Sequence, residues 1–133
     1  MKHFYTSNYA RSAQHPLAVA ISASPPDWYH GKKFQLLAPT WEMINDYKSG
    51  RINSKDYASK YITLLEQRDI TAFDIVEIFP DGTRFLCYEA PGDFCHRRVL
   101  ADWIKERTGM EVTEFISEEQ EKRDELANDL LEF

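Results

Sequence analysis

Several features that would assign a function at once are scarce or missing in this sequence. Two of its 133 residues are cysteine, and no apolar run approaches the roughly 20 residues that a membrane-spanning helix needs. The first residues, MKHFYTSNYARS, contain no apolar segment of the kind that a secretory signal requires. We therefore expect a cytoplasmic protein, away from membranes, whose thiols are kept reduced.

Motifs built on cysteine and arginine are also missing. The Cys-x5-Arg pattern of phosphatase loops is absent, because Ala101 and Asp93 stand where the arginine would follow Cys95 and Cys87. The spacing of the two cysteines excludes a Cys-x-x-Cys redox motif. A single disulfide between them remains open at this stage.

A metal site has few candidate ligands. Zinc would have to draw on Cys87, Glu89, Cys95 and His96, with His3, His15 or His30 to complete the set. No second Cys/His pair occurs, and adjacent residues of a helix point in different directions. We therefore predict no metal and no cofactor.

Neither the body of the chain nor its C-terminal end carries an excess of positive charge. The net charge of −6 arises in the last twenty residues, 114–133, which carry eight acids and two bases. The preceding 113 residues hold 14 acids and 14 bases, so they are neutral. Because neutralising phosphates supplies most non-specific affinity for nucleic acids, we predict no broad nucleic-acid surface. A local site for a small anionic ligand or nucleotide is still compatible with this balance.

What the sequence does contain is an alternation of strand and helix patterns. Apolar residues make up 43% and charged residues 29%, as in an ordinary globular domain. The predicted strands cover 3–10, 16–22, 73–79, 84–89 and 111–116, and the predicted helices cover 40–50, 55–67, 94–107 and an acidic stretch from Ser117. We predict an α/β fold: a single compact domain, mainly parallel sheet with helices on both faces, plus an acidic C-terminal helix. Its parts are an α/β domain, 1–116, and an acidic helix or tail, 117–133.

Helix boundaries follow from capping residues. Thr40, Ser54 and Asp93 are the predicted N-caps of three helices. Gly50 and Gly109 are predicted to end the first and the last of them.

The strand–loop–helix segment CYEAPGDFCHRRVLADW (87–103) holds the chemistry. Backbone N–H groups at a helix N-terminus stabilise an anion, so Cys95 is a candidate thiolate nucleophile. Glu89 is a candidate general base or orienting residue. His96 and Arg97 are candidate substrate contacts. The carboxyl ends of parallel strands gather at one edge of a sheet, and this adds Thr6, Ser7 and Ser22 to the predicted substrate site.

The same residues also fit a structural role. Cys87 lies inside an apolar strand and is predicted to be buried core, and His96 is compatible with a satisfied, partly buried histidine. In the loop 24–34, Trp28 is a candidate for stacking on a base or sugar, or else packs as part of a lid. A further set of aromatic residues is predicted to pack from helix faces into the core: Trp41, Tyr47, Tyr57 and Tyr61.

The segment LCYEAPGDFCHRRVLADW (86–103) resembles the signature of the domain-of-unknown-function 488 family, in which a strand ending in Cys-x-Glu leads to Cys-His-Arg. The likeness continues through YTSNYA (5–10), AISASPPDWYHGKKF (20–34) and the stretch 37–61, so it spans residues 5 to about 107. The resemblance implies a compact α/β domain, found in bacteria, archaea and their mobile elements, but no particular reaction. It also implies that the shared pocket is formed by Cys87, Glu89, Cys95, His96 and Arg97 with Thr6, Ser7 and Ser22.

Three functional hypotheses remain. The first is an enzyme-like domain that binds or acts on a nucleotide or nucleic-acid component through an anion-binding pocket at the N-terminus of the 94–107 helix. The second is a non-catalytic interaction factor, of phage or mobile-element type, that engages a protein partner through 117–133. In the third, the Cys, Glu, His and Arg side chains form an internal hydrogen-bond network whose loss destabilises the fold.

Overall fold

The chain folds around one parallel sheet with helices on both sides. A computed structural model describes residues 2–89 and 94–131, and for 128–131 the backbone alone. Its five strands lie in the order β3-β2-β4-β1-β5, and each neighbouring pair is parallel. The strands are β1 (Phe4–Asn8), β2 (Ala18–Ala20), β3 (Lys32–Lys33), β4 (Arg84–Cys87) and β5 (Val112–Glu114). The helices are α1 (Tyr9–Ser12), α2 (Trp41–Lys48), α3 (Ser54–Gln67), α4 (Ala72–Ile78), α5 (His96–Thr108) and α6 (Glu118–Leu131). The predicted α/β class and single parallel sheet are confirmed.

Successive strand residues point to opposite sides of the sheet, and this alternation builds two different faces. On the first face Phe4, Val19 and Phe85 belong to the large apolar cluster that α2, α3, α4 and α5 cover. On the second face Ala20 and Leu86 belong to a smaller cluster. The small side chains of Ala18, Ala20 and Ser7 on the second face leave room for polar contacts, whereas the first face is the main core.

Helix α6 lies against the second face through charged and polar contacts. The Arg84 guanidinium, 2% exposed, meets the Glu121 carboxylate at 2.6 Å and lies 3.8 Å above the Phe115 ring. The Tyr5 hydroxyl donates to Asp124 at 3.1 Å. The acidic helix is therefore attached to the sheet over its first two turns, while Leu126 further along is 60% exposed.

The segment 73–79 was predicted as a strand and is a helix. Thr71 and Asp74 form a capping box, each side chain accepting from the other residue's backbone N–H. Ile75 and Phe79 are buried at helical spacing, whereas Phe73 and Ile78 are exposed. The β-branched composition suggested a strand, but the cap and the burial of one helical side decide the outcome.

Two caps also differ from the prediction. Helix α3 is capped by Asn53, one residue before the predicted Ser54, because the Asn53 side chain accepts from the backbone N–H of Asp56. Helix α5 has Cys95 as its N-cap residue, and the predicted cap Asp93 lies outside the described residues. Gly109 ends α5 as predicted, in the left-handed conformation that glycine adopts without strain.

Within residues 2–89 and 94–131, helices long and apolar enough to span a bilayer are absent.

Candidate active site

A pocket of about 360 Å³ opens where the carboxyl ends of β2 and β4 meet the N-terminus of α5. Its polar end is lined by Ser22, Glu89, Cys95 and His96, with Cys87 beside Cys95. We call it the thiol pocket. It lies at the carboxyl edge of the sheet, where parallel α/β folds bind their ligands.

The other walls of the thiol pocket are aromatic. Trp41 and Tyr88 are 57% and 55% exposed, so their rings are open to solvent at its mouth. Tyr47, Tyr57 and Phe94 pack against one another deeper in the wall, with ring centroids 5.2 to 5.5 Å apart. The exposed amine of Lys48 lines the same pocket. A planar ring with an attached anion would therefore meet aromatic faces and a cation.

The two cysteines lie side by side at the base of the pocket. Their sulfur atoms are 3.0 Å apart, both thiols are free, and the residues are 1% and 5% exposed for Cys87 and Cys95. Arg97 Nη1 donates to Cys87 Sγ at 3.0 Å. Either sulfur can be the donor in the contact between them. Because Cys95 lies at the N-terminus of α5, which favours negative charge, we assign the S–H to Cys87 and the acceptor role to Cys95. The three groups form a donor chain that ends on the Cys95 sulfur.

The two thiols have different pKa values. Burial raises the pKa of Cys87 well above the ordinary thiol value, and its hydrogen bond with Cys95 adds to the rise. The pKa of Cys95 is lowered, first by the hydrogen bond from Cys87 and then by the positive charge of Arg97, against the effect of burial. Cys95 is therefore the thiol of the pair that ionises first, at the end of helix α5 that favours negative charge.

Arg97 is held by the protein itself. Its side chain is fully buried, and its Nε and Nη2 atoms donate to the two oxygens of Glu114 at 3.1 and 2.9 Å. Nη1 donates to the Glu89 carbonyl at 2.8 Å as well as to Cys87. The Thr6 hydroxyl donates to Glu114 at 2.7 Å. Four of the five guanidinium N–H groups thus have protein acceptors, so Arg97 positions the thiols and the loop after β4.

His96 is neutral and anchored. Nε2 lies 2.7 Å from the Ile21 carbonyl, and because a carbonyl can only accept, Nε2 carries the proton. Burial lowers the pKa of His96 to about 4. The imidazole therefore presents an unprotonated Nδ1 and remains uncharged at neutral pH.

The remaining predicted site residues lie in different surroundings. Ser22 lines the thiol pocket, and its hydroxyl is hydrogen-bonded to that of Tyr9. Ser7 points to the second face, where its hydroxyl lies 2.7 Å from that of Ser12. Trp28 is 53% exposed, stacks edgewise on Tyr9 and lies outside the lining of the thiol pocket. The structure thus brings Ser22, Glu89, Cys95 and His96 together and sets Ser7 and Trp28 apart from them.

Two residues of the site, Glu114 and Trp41, were not identified as such from the sequence. The sequence pattern places Glu114 in a last strand without a role, and the signal that locates it is its position at the carboxyl end of that strand, level with Thr6 of β1. The prediction that Trp41 packs into the core is wrong, since its ring is exposed in the pocket wall. Tyr57 and Tyr61 are core residues as predicted, and Tyr57 also lines the pocket.

The pocket also has the donor atoms for a soft metal ion. One ligand atom each from Cys87, Glu89 and Cys95 lies within 4.8 Å of the other two. Two thiolates and a carboxylate are ligands that zinc accepts. The guanidinium of Arg97 already occupies the Cys87 sulfur, however, and favours the cysteines as a thiol–thiolate pair.

Comparison with known proteins identifies the family. A family model described as the active DUF488-N3 subclade, DUF488-N3a, matches residues 10–108, about three quarters of the chain. Searches of curated proteins and of solved structures found no match. The chain belongs to the DUF488 family, as its sequence predicts.

Proposed function

We propose that this DUF488 protein is an enzyme that binds a mononucleotide-sized ligand in the thiol pocket and uses Cys95 as its nucleophile. The observation that carries the proposal is the donor chain from Arg97 through Cys87 to Cys95, which stabilises a thiolate inside a pocket. A structural cysteine has no need of a lowered pKa, whereas a cysteine that acts as a nucleophile requires one. The description of the matching family as an active subclade agrees with it.

The ligand class follows from the walls of the pocket. Exposed aromatic faces such as those of Trp41 and Tyr88 stack on nucleobases regardless of base identity. The Lys48 amine and the N-terminus of α5 favour a phosphate. A volume of about 360 Å³ is at the lower end of the range of roughly 300 to 1,000 Å³ for small-molecule sites. Together these features favour one nucleotide unit rather than a long polymer.

The chemistry assigns separate roles to the polar residues. In the first step the Cys95 thiolate attacks an electrophilic carbon of the ligand, a sulfur–carbon bond forms and the leaving group departs with its electron pair. In the second step water replaces the sulfur, and Glu89 takes the proton of that water while the thiolate is regenerated. His96 Nδ1 accepts a hydrogen bond from the ligand. Ser22 offers its hydroxyl to the ligand at the same polar end of the pocket.

Two matched tryptophan variants test the ligand site. Binding of AMP and UMP is measured by calorimetry for the wild type, Trp41→Ala and Trp28→Ala; the two indole rings are similarly exposed, but Trp41 alone of the two lines the pocket. Since stacking contributes about 1 to 3 kcal/mol per base, Trp41→Ala should weaken binding about fivefold to 150-fold. Trp28→Ala should leave it unchanged. Equal losses in both variants, or no binding of either nucleotide to the wild type, would contradict the proposed ligand class.

The nucleophile is tested separately. Alkylation of Cys95 by iodoacetamide is followed by peptide mass spectrometry as a function of pH, with and without AMP. We expect a midpoint below the ordinary thiol value of about 8.5 and slower alkylation when AMP is bound. A thiol that reacts only after unfolding would contradict the enzymatic role.

A further inference from the structure

We propose that Cys87 and Cys95 form a reversible oxidation site, in which a hydroperoxide oxidises Cys95 and Cys87 converts the product to a disulfide. The thiol pocket would then be a site of redox control as well as of catalysis, a consequence that rests on the proposed function. The oxidation itself rests on the geometry of the thiol pair alone. Three features of that pair support it.

The first feature is the distance between the sulfurs. At 3.0 Å they are roughly 1 Å further apart than the disulfide bond length of about 2.05 Å. Cys87 is the last residue of β4, and Cys95 is the residue that precedes the first turn of α5. Both side chains stand at the ends of elements, so small changes in their torsion angles are enough to close the gap.

The second feature is the division of roles between the two thiols. Cys95 lies at the N-terminus of α5, whose backbone N–H groups favour a negative charge, and the thiolate is the form that attacks a peroxide. Cys87 keeps its proton and lies in contact with the sulfur that would be oxidised. A thiolate beside a resolving thiol is the arrangement found in redox-sensing cysteines.

The third feature is access. Both cysteines are among the residues that line the thiol pocket, although each is nearly buried. A small hydroperoxide can reach Cys95 through the pocket, whereas the sulfur of another protein chain is excluded by the aromatic walls. The site therefore selects small oxidants over intermolecular disulfide exchange.

The reaction balances with the hydroperoxide as the sole co-reactant. The Cys95 thiolate attacks one peroxide oxygen, the O–O bond breaks, and Cys95 becomes a sulfenic acid as the other oxygen leaves as hydroxide or alkoxide. Cys87 then attacks the Cys95 sulfur, the S–O bond breaks, and the Cys87 proton leaves with the oxygen as water. Two thiols lose two electrons in total, and a dithiol reductant returns them.

The test uses the full chain and hydrogen peroxide, in a buffer containing a chelator so that no metal protects the thiols. Trypsin releases both cysteines in one peptide, 85–97, which follows Arg84 and ends at Arg97, because no other lysine or arginine lies between these two. We expect that peptide to lose two hydrogen atoms in mass, to resist alkylation and to recover after reduction. Cleavage before Asp93 separates the cysteines and should yield two linked fragments.

Single-cysteine variants keep the proposal falsifiable. Because the chain has two cysteines, Cys87→Ser leaves Cys95 without a resolving partner. After peroxide treatment this variant should incorporate about tenfold more of a 1,3-dione sulfenic-acid probe than the wild type. Cys95→Ser should incorporate none.

Two outcomes would overturn the proposal: free thiols in the folded wild type after peroxide treatment, or equal probe incorporation in the wild type and Cys87→Ser. Neither measurement involves a nucleotide. Failure of the oxidation site is therefore distinguishable from failure of the proposed function, which the AMP and UMP titrations detect.

Discussion

The two faces of the sheet each bury an arginine against a glutamate, yet the two pairs have different surroundings. On the first face Arg97 reaches Glu114 with two parallel hydrogen bonds and adds contacts to a thiol and a carbonyl. On the second face Arg84 reaches Glu121 with one nitrogen, and its buried Nε has no acceptor among the described residues. The Arg97 guanidinium has acceptors for four of its five N–H groups, whereas the Arg84 guanidinium leaves its Nε–H without one among the described residues.

The comparison shows how similar ion pairs can serve different purposes. The Arg97–Glu114 pair fixes the thiol pocket, because its remaining donors point at Cys87 and at the loop that carries Glu89. The Arg84–Glu121 pair fixes helix α6 to the sheet, on the opposite face from the thiols. Breaking either pair leaves a buried charge, but only the first change should alter the chemistry of Cys95.

The largest effect is expected from Arg97→Met. Removal of the guanidinium leaves the Glu114 carboxylate, 14% exposed, without its counter-charge, and should lower the free energy of unfolding by about 3 to 5 kcal/mol. The alkylation midpoint of Cys95 should rise at the same time, since the donor chain is lost. Urea unfolding and pH-dependent alkylation provide the two measurements.

Two further variants control for the loss of stability in Arg97→Met. Arg98→Met alters the neighbouring, partly exposed arginine and should cost less than about 1 kcal/mol. Combining Arg97→Met with Glu114→Leu should restore part of the stability, because an apolar pair can replace a buried ion pair, but not the acidity of Cys95. If the double variant regains a reactive Cys95, the donor chain is not what activates it.

A second test concerns how the free energy of unfolding depends on pH, and it compares two histidines, His96 and His15. Because the folded-state pKa of His96 is about 4 and the unfolded value is about 6.5, the unfolded chain binds more protons between these pH values. This contribution to stability is present above pH 6.5 and is lost as pH falls to 4, by about 3 kcal/mol in all. His96→Gln, whose amide can still donate to the Ile21 carbonyl, should flatten the stability curve by about that amount.

His15 provides the matched control. Burial lowers its pKa too, but His15 is only partly buried whereas His96 is 5% exposed, so His15→Gln should change the slope less. Unfolding by urea at a series of pH values between 4 and 7 gives both curves. Equal flattening in the two variants would mean that the slope does not originate at the thiol pocket.

Sequence patterns predicted local features of this protein better than contacts between distant segments. The strand–loop–helix order around Cys87 and Cys95 follows from apolar periodicity and from Gly109, all within one stretch of chain. The role of Glu114 depends on the pairing of β5 with β1, more than 100 residues apart in sequence, and no local pattern reports it. Likewise, whether Trp28 or Trp41 faces a pocket depends on tertiary packing, because both follow polar or proline-containing segments.

The third and smallest effect is expected from Arg84→Met. Arg84 already buries an unpaired Nε, so its loss removes an unfavourable group along with the Glu121 contact, and Glu121 can turn towards solvent. We expect a cost of about 2 kcal/mol, below that of Arg97→Met. Hydrogen exchange should accelerate in 118–127 as α6 loosens, while the alkylation midpoint of Cys95 stays at the wild-type value. A shift in that midpoint as large as in Arg97→Met would show that the two faces are coupled, and that the charge on Cys95 depends on the whole sheet rather than on the pocket.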